Sequence, residues 1–394
     1  YFMADKPATP PFPPNGPDTE ATFDGHRLLL MTVSCPPELL EKHVSVLGKE
    51  FEPPSPILNS ELDVPWPIEE DSPLGKAISR DALLEWNYDL FKLREVSSGH
   101  PLVYMAHGII RVFDLVNKLK LDEKVLHRFL CALERSYNKC LYHNPMHASD
   151  VLHATAYLLH GKTAEAFPDE ELLVTILAAC GHDVGHPGIN NNYMMKQSHP
   201  LAAKYANKGV LENHHVALAL SLVDMPSLDV FSTIPGANAE RRKELFDMFR
   251  LLVLGTDMSE HAKMVSSLEA VVATGKPLDL TTIEHRVLAI QTLIHTADLS
   301  NPAKAWHIHI QWTHAIVAEF FSQGDLERAR GLEISPMCDR TVNCGRSSQK
   351  YFFQHFCRPL FVQCAKVMPD TEGRCKELIE HLDENLERWT ALGF

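Results

Sequence analysis

The sequence lacks several features that would assign the protein to a broad class at once. No run of 18 apolar residues occurs, so we expect no membrane-spanning helix. Basic residues are outnumbered by acidic ones, 37 against 51, and a net charge of −14 argues against nucleic acid or an anionic membrane as a partner. Alternating apolar and polar residues, which are typical of strands, are almost absent.

Paired cysteines are missing as well. None of the nine cysteines forms a C-x-x-C, which argues against a structural zinc site. Their odd number and the absence of a signal peptide indicate a reducing, cytoplasmic location. The start Tyr1-Phe2-Met3 suggests a piece of a longer protein, so an upstream regulatory domain, or recruitment to a membrane through a missing N-terminal region, stays open.

The stretch GHDVGHPG, residues 181–188, is the most informative feature that is present. It places His182, Asp183 and His186 where an apolar helical segment gives way to a turn rich in glycine and proline. Imidazole and carboxylate side by side are typical ligands of zinc, magnesium and manganese. The glycines would let the backbone come close to an ion or a phosphate.

Three further clusters of His, Asp and Glu occur at the ends of predicted helices. Asn144 and Pro145 suit the N-cap and first position of a helix that runs to His160, with His143 and His147 at its start. The run ENHH, residues 212–215, opens a second helix, and HTADLSNP, residues 295–302, ends a third. That third helix has a predicted buried stripe of Ile283, Val287, Ile290 and Ile294. One cluster alone is more often a cap or a core histidine, but four in one chain indicate a site.

In this order the motifs YHNPMHASDV, HDVGHPG, ENHH, TDMSEH and HTADLSNP resemble the catalytic domain of the class I cyclic nucleotide phosphodiesterases, within the HD superfamily of metal-dependent phosphohydrolases. The resemblance continues through QW, EISPMCD and SQ and covers residues 74–389. It implies hydrolysis of 3',5'-cyclic nucleotides to 5'-nucleoside monophosphates by a two-metal mechanism. It also implies that cAMP is preferred, with use of both cAMP and cGMP left open.

The resemblance implies roles for the histidines and carboxylates. The tighter ion, expected to be zinc, would be bound by His147, His182, Asp183 and Asp298. Asp183 would also reach a second ion, expected to be magnesium or manganese with a mostly water shell. The general acid would be His143, since the pKa of an imidazole lies near neutrality. His186 and Glu212 would hold metal-bound waters, with Glu212 also orienting His143.

For the substrate pocket, the resemblance implies a purine held between Phe352 and an apolar wall of Ile316 and Leu299, with the Gln349 amide at the base edge. The remaining pocket residues would be Tyr142, Asn301, Thr313, Met337 and Thr256, the last through a water-mediated contact. Asn301 favours adenine, although the Gln349 amide can flip to serve either purine. Less familiar are His309 and the loop 339–347 with its Asn343-Cys344-Gly345, which could alter purine selectivity.

The periodicity predicts an all-α fold. Helical segments such as Ala106–Leu119, Lys124–Asn138, Ala239–Val253 and Ala305–Phe321 are separated by short Gly, Pro and Asn breaks. We expect a compact multi-helix catalytic domain over residues 74–394, with the metal site where helix ends converge. Residues 1–22 would be a proline-rich linker or an expression-derived segment, and 23–73 an extension that packs on the domain or is partly flexible.

Two other functions stay open at this point. The chain could be an HD-type phosphohydrolase acting on another nucleotide, although the YHN-x-x-H motif and the Gln349/Phe352 pair argue against it. It could also be an inactive nucleotide-binding module, although all four expected ligands are present. The expected partner is a small cyclic nucleotide, and a homodimer is common among the proteins that the sequence resembles.

Overall fold

A computed structural model describes Lys42 and residues 64–342, 346–368 and 371–392. Within these ranges every regular element is a helix, which confirms the predicted all-α fold. None of those helices combines the length and the apolar composition needed to cross a bilayer. The predicted linker 1–22, most of the predicted extension 23–73, and Asn343-Cys344-Gly345 lie outside the described residues.

The α-helices follow one another with short connections. In chain order they are α1 (Pro73–Ala77), α2 (Arg80–Leu83), α3 (Leu90–Val96), α4 (Pro101–Val112), α5 (Leu115–Leu119), α6 (Glu123–Arg135), α7 (Pro145–Leu159), α8 (Lys162–Glu165), α9 (Asp169–Gly181), α10 (Asn191–Lys196), α11 (Pro200–Lys204), α12 (Val210–Val223), α13 (Ala239–Leu254), α14 (His261–Ala273), α15 (Ile283–Asp298), α16 (Trp306–Ala329), α17 (Arg346–Phe352), α18 (Arg358–Val367) and α19 (Glu372–Ala391). Short 3₁₀ turns occur at Phe231–Thr233, Met258–Glu260 and Asn301–Ala303, and a π turn at Phe353–Cys357 joins α17 to α18.

Helix α7 is the centre of the fold. It packs against α4, α9 and α15, and every residue after Pro145 is buried. A helix that is enclosed in this way must be apolar around most of its circumference, as this one is. Its start is as predicted: the side chain of Asn144 accepts a hydrogen bond from the Met146 N–H at 2.8 Å, and Pro145 takes the first position.

The packing of α7 brings several helix ends to one place. The N-terminus of α7 lies against α15 and α9, and α12 in turn packs against α9. The C-terminal residue of α15 is Asp298, and α9 ends at Gly181, directly before the His182-Asp183 pair. The histidine and carboxylate motifs of the sequence therefore sit at helix ends that the core holds together.

Some predicted boundaries differ from the structure. The segment 106–119 breaks at Asp114, whose φ of 56° is incompatible with a continuous helix, and α16 continues well beyond Phe321. Ile283 was expected in a buried stripe but is 56% exposed. The first buried residue of α15 is Ala289, so the N-terminal part of this helix lies outside the core. Apolar spacing identifies the inward face of a helix, but not how far its neighbours extend along it.

Candidate active site

Four side chains from three parts of the chain converge beside the start of α7. Nε2 of His147 lies 3.4 Å from Asp183 Oδ2 and 3.0 Å from Asp298 Oδ1. Nε2 of His182 lies 3.2 Å and 3.5 Å from the same two oxygens. The structure thus brings together the whole set predicted to bind the tighter metal ion.

The donor atoms of this set fit a divalent cation. Nδ1 of His182 donates a hydrogen bond to the Ala179 carbonyl at 2.9 Å, so Nε2 is the ring nitrogen that faces the two carboxylates and that would bind an ion on losing its proton. That nitrogen is buried and makes no well-formed hydrogen bond, although the carboxylate oxygens of Asp183 and Asp298 are close to it. Two imidazole nitrogens with two carboxylate oxygens are a donor set that zinc and similar ions accept.

The carboxylates of the set are held in the ionised form. Burial alone would raise the pKa values of Asp183 and Asp298, but the neighbouring imidazoles of His147 and His182 outweigh it and lower both. The two carboxylates are therefore anionic, and a bound cation would take over from the two imidazoles as the positive charge that stabilises them.

His143 lies just before α7 and pairs with a carboxylate that sequence reasoning missed. Its Nδ1 donates to Oε1 of Glu319, while Oε2 of Glu319 accepts from the backbone N–H groups of Tyr142 at 2.7 Å and His143 at 3.2 Å. Burial lowers the pKa of His143, but the Glu319 carboxylate more than compensates and raises the pKa to about 9. The orienting contact expected from Glu212 is thus made by Glu319.

Glu212 has a different partner. Its carboxylate accepts two hydrogen bonds from Asn191 Nδ2, at 2.9 and 3.2 Å. Burial, with a further contribution from the nearby Asp257 carboxylate, raises the pKa of Glu212 to about 8. Glu212 still lines the cavity next to Asp183, so its predicted role toward water near the ions stays a prediction.

His186 is stacked on His143, with ring centroids 4.0 Å apart. Its Nδ1 accepts a hydrogen bond from the Gly188 N–H at 3.0 Å. Burial first, and then the positive charge of His143, lower the pKa of His186 well below its usual value. A neutral imidazole thus lies against the cationic one, and its predicted role of holding water stays a prediction.

Gly185, between His182 and His186, has a packing role. Gly185 has a φ of 75°, and a Cβ placed on it would lie 2.6 Å from Leu218 Cδ2 of α12. The sequence suggested that glycines here allow approach to an ion or a phosphate. At Gly185 the close approach is instead to α12, the helix that carries Glu212.

A cavity of about 270 Å³ opens beside the histidines and carboxylates. Its wall includes His143, Asp183, Glu212 and Asp298. The predicted pocket residues that also line it are Tyr142, Thr256, Leu299, Asn301, Ile316, Met337, Gln349 and Phe352. The amide of Asn301 donates from Nδ2 to Tyr142 Oη at 3.1 Å. Phe352 borders the cavity while its neighbour Phe353 is fully buried, so only one of these two rings can contact a ligand.

Two residues expected near the pocket lie elsewhere. Thr313 is buried away from the cavity, with Oγ1 at 3.3 Å from His309 Nε2. His309 in turn accepts a hydrogen bond from Trp389 Nε1 of α19 at 2.9 Å. This face of α16 packs against α19, and neither residue lines the cavity. Ile316, three residues after Thr313, is on the cavity side.

Sequence reasoning missed a polar stripe on α16. Glu319, Gln323 and Glu327 are spaced by four residues and are all buried. They lie in a run whose other buried members include Val317, Ala318 and Phe321. Charged side chains on a buried helix face need partners, so this spacing was a signal that could have been found. The Asn190-Asn191-Asn192 run, which also borders the cavity, was missed too.

Comparisons with known proteins identify the family of this chain. The family model described as 3'5'-cyclic nucleotide phosphodiesterase matches residues 142–378. The chain is 36% identical over 311 residues to 3',5'-cyclic-AMP phosphodiesterase 4C of Rattus norvegicus, covering 77% of this chain and 57% of that protein. It is 37% identical over 311 residues to the Mus musculus protein of the same name, covering 77% and 44%.

A solved structure is similar as well. The phosphodiesterase domain of the RhoPDE fusion protein from the choanoflagellate Salpingoeca rosetta superposes with a TM-score of 0.72 at 28% identity, covering 79% of this chain and 95% of that one. The chain spans about half the length of the curated relatives it matches. Because the family model matches more than half of the chain and the fold agrees, this protein belongs to the 3',5'-cyclic nucleotide phosphodiesterase family.

Proposed function

We propose that this protein hydrolyses 3',5'-cyclic nucleotides to 5'-nucleoside monophosphates and prefers cAMP to cGMP. One observation carries the proposal: a single cavity borders two members of a divalent-cation donor set, the His143–Glu319 pair, and the side chains of Gln349 and Phe352. The names of the rat and mouse relatives, which are cyclic-AMP phosphodiesterases, support the choice of substrate.

The chain's own ligands would hold the cations. His147, His182, Asp183 and Asp298 would bind a tighter ion, for which zinc is expected, and Asp183 has a second oxygen for magnesium or manganese. When bound, two such ions supply Lewis-acid polarisation of the phosphate and activation of water. His186 and Glu212, on the cavity wall, would hold water near them.

His143 would supply the proton that the reaction needs. Opening the cyclic ester breaks a bond between phosphorus and a ribose oxygen, and that oxygen leaves more readily when it is protonated. Because Nδ1 of His143 donates to Glu319, Nε2 is the nitrogen that would give its proton to the leaving oxygen. Glu319 stabilises the imidazolium and thereby keeps His143 protonated at neutral pH.

The purine would lie against Phe352, with Leu299 and Ile316 as apolar wall and the Gln349 amide at its edge. In the structure the Asn301 amide donates from Nδ2 to Tyr142 Oη. Oδ1 is then the acceptor that Asn301 offers. The exocyclic amine of adenine is a donor, whereas guanine has an acceptor carbonyl at the same position, so this arrangement favours cAMP.

The test is hydrolysis of cAMP and cGMP measured side by side, on metal-loaded protein and on protein treated with a chelator, with 5'-AMP and 5'-GMP as the products followed. We expect the metal-loaded protein to release 5'-AMP, with or without 5'-GMP, and kcat/KM to be larger for cAMP than for cGMP. Equal values for the two substrates would contradict the adenine preference. No turnover of either by protein with bound metal would contradict the proposed activity and favour another phosphohydrolase substrate.

A further inference from the structure

Met337 reaches the cavity from an unusual backbone conformation. Its φ is 69°, in the left-handed region that residues with a side chain rarely adopt. Met337 nevertheless forms part of the cavity wall, next to residues expected to contact the purine. A conformation of this kind persists only where the surrounding contacts hold it, so the contacts of the turn that carries Met337 are informative.

The first contact is a buried carboxylate. Glu327 of α16 is fully buried and accepts hydrogen bonds from the Ser335 N–H at 2.6 Å and from Ser335 Oγ at 2.5 Å. Hydrogen bonds to an ionised acceptor are short and strong, and here both come from the residue two positions before Met337. The Lys196 ammonium, 3.8 Å from Glu327, donates to the Glu333 carbonyl at 2.8 Å in the same turn.

The second contact lies on the other side of Met337. A Cβ placed on Gly324 of α16 would be 1.9 Å from the carbonyl oxygen of Cys338. Only glycine allows the backbone of the turn to lie this close to the helix. The turn is therefore held to α16 at Ser335 and at Cys338, with Met337 between the two attachments.

The same stripe of α16 reaches a second loop of the cavity. Gln323 donates from Nε2 to Glu327 at 3.2 Å and accepts at Oε1 from the Asn190 N–H at 2.9 Å. Both Gln323 and Asn190 line the cavity. Glu327 is thus bonded directly to the turn that carries Met337 and, through Gln323, to the segment of Asn190, although it does not itself line the cavity.

We propose that Glu327 is a positioning residue for the substrate pocket: it holds the Ser335–Cys338 turn on α16, so that Met337 closes the wall and the cyclic nucleotide binds tightly. The inference rests on the proposed function. The polar stripe of α16 would then have two roles. Glu319 supports the proton donor His143, and Glu327 supports only the pocket.

The test compares Glu327→Ala with the wild-type protein, and Glu333→Gln, at an exposed position two residues before the turn, is the matched control. We expect Glu327→Ala to raise KM for cAMP roughly tenfold while kcat stays within about twofold and bound metal is unchanged, since uniform binding is what is lost. Glu327→Gln, which keeps one acceptor for Ser335, should recover part of the affinity. If Glu327→Ala does not fold, Ser335→Ala is the milder variant, because it removes only the hydrogen bond from Ser335 Oγ to Glu327.

Hydrogen exchange of the turn provides a readout that does not depend on activity. The amides of Ser335 and Cys338 should exchange faster in Glu327→Ala, because Ser335 loses its acceptor and Cys338 bonds to Ser335 at 3.0 Å. Unchanged exchange, or a fall in kcat at unchanged KM, would overturn the inference. If wild-type protein with bound metal hydrolysed neither nucleotide, the proposed function would fail, whereas the exchange rates would still decide whether Glu327 holds the turn.

Discussion

Replacing Glu319 by Gln tests the proton donor with the least change of shape. The Gln carbonyl can still accept from the Tyr142 and His143 N–H groups, as Oε2 of Glu319 does. Its NH₂ group then faces Nδ1 of His143, which favours the acceptor form of that nitrogen, so Nδ1 takes up a proton less readily. The substitution thus removes the negative charge and disfavours the imidazolium together, while the backbone contacts stay.

The size of the effect follows from the pKa of His143. With Glu319 that pKa is about 9, so nearly all of the imidazole is protonated at pH 7.5. Without the carboxylate the pKa would fall toward the ordinary value of 6.5, because burial opposes the charge while Asp183 and Asp298 still favour it. At a pKa of about 6.5 only about a tenth of the protein would hold the proton at pH 7.5, so kcat/KM should drop roughly tenfold, and by no more than the ~10⁴ that a general acid contributes.

The measurement is the pH profile of kcat/KM for cAMP, with Glu284→Gln on the surface of α15 as the control. A general acid is lost as pH rises through its pKa, so the descending limb should move to lower pH in Glu319→Gln. The two proteins should therefore converge as the pH falls toward 6. Metal content is measured in parallel and should not change. A descending limb that stays in place, with a normal rate at pH 7.5, would refute the assigned pair.

Three further substitutions separate the parts of the site. Asp298→Ala should lose the tight ion and activity together, as measured by elemental analysis and turnover, and a retained ion would contradict its assignment as a ligand. His143→Ala should keep the ions and lower kcat by roughly 10²–10⁴. A near-normal rate there would remove His143 from the role of general acid. Gln349→Ala should raise KM for cAMP with metal content unchanged, and loss of metal would show that Gln349 supports the ion site instead of the pocket.

Much of the ion site could be predicted because its residues lie in short motifs at helix ends. Capping and turn preferences act over a few residues, so Asn144-Pro145 predicted the start of α7 correctly and Asn301-Pro302 the end of α15. Each motif then combined a histidine or carboxylate with such an end. The family resemblance indicated which motifs would meet. The structure brings His147, His182 and Asp183 within reach of one ion, with Asp298 against both imidazoles.

The expected pocket residues that do not line the cavity belong to α16, a helix with the cavity on one side and α19 on the other. Thr313 and Ile316 are three residues apart on α16, yet one packs toward α19 and the other borders the cavity. His309 follows Thr313 away from the pocket for the same reason. Periodicity places residues on a common face, but the angle at which α16 crosses its neighbours determines which face is exposed to the ligand.

The sequence by itself determined the helical class, the order of the motifs and the chemistry of the ion ligands, because these depend on local backbone preferences and on residue type. The tertiary structure alone decided that Glu319 pairs with His143 and that Glu327 accepts a hydrogen bond from Ser335 in the turn bearing Met337. Those contacts join residues 176 and eight positions apart across different elements. A buried carboxylate requires a partner wherever packing can supply one, and only the folded chain shows which partner that is.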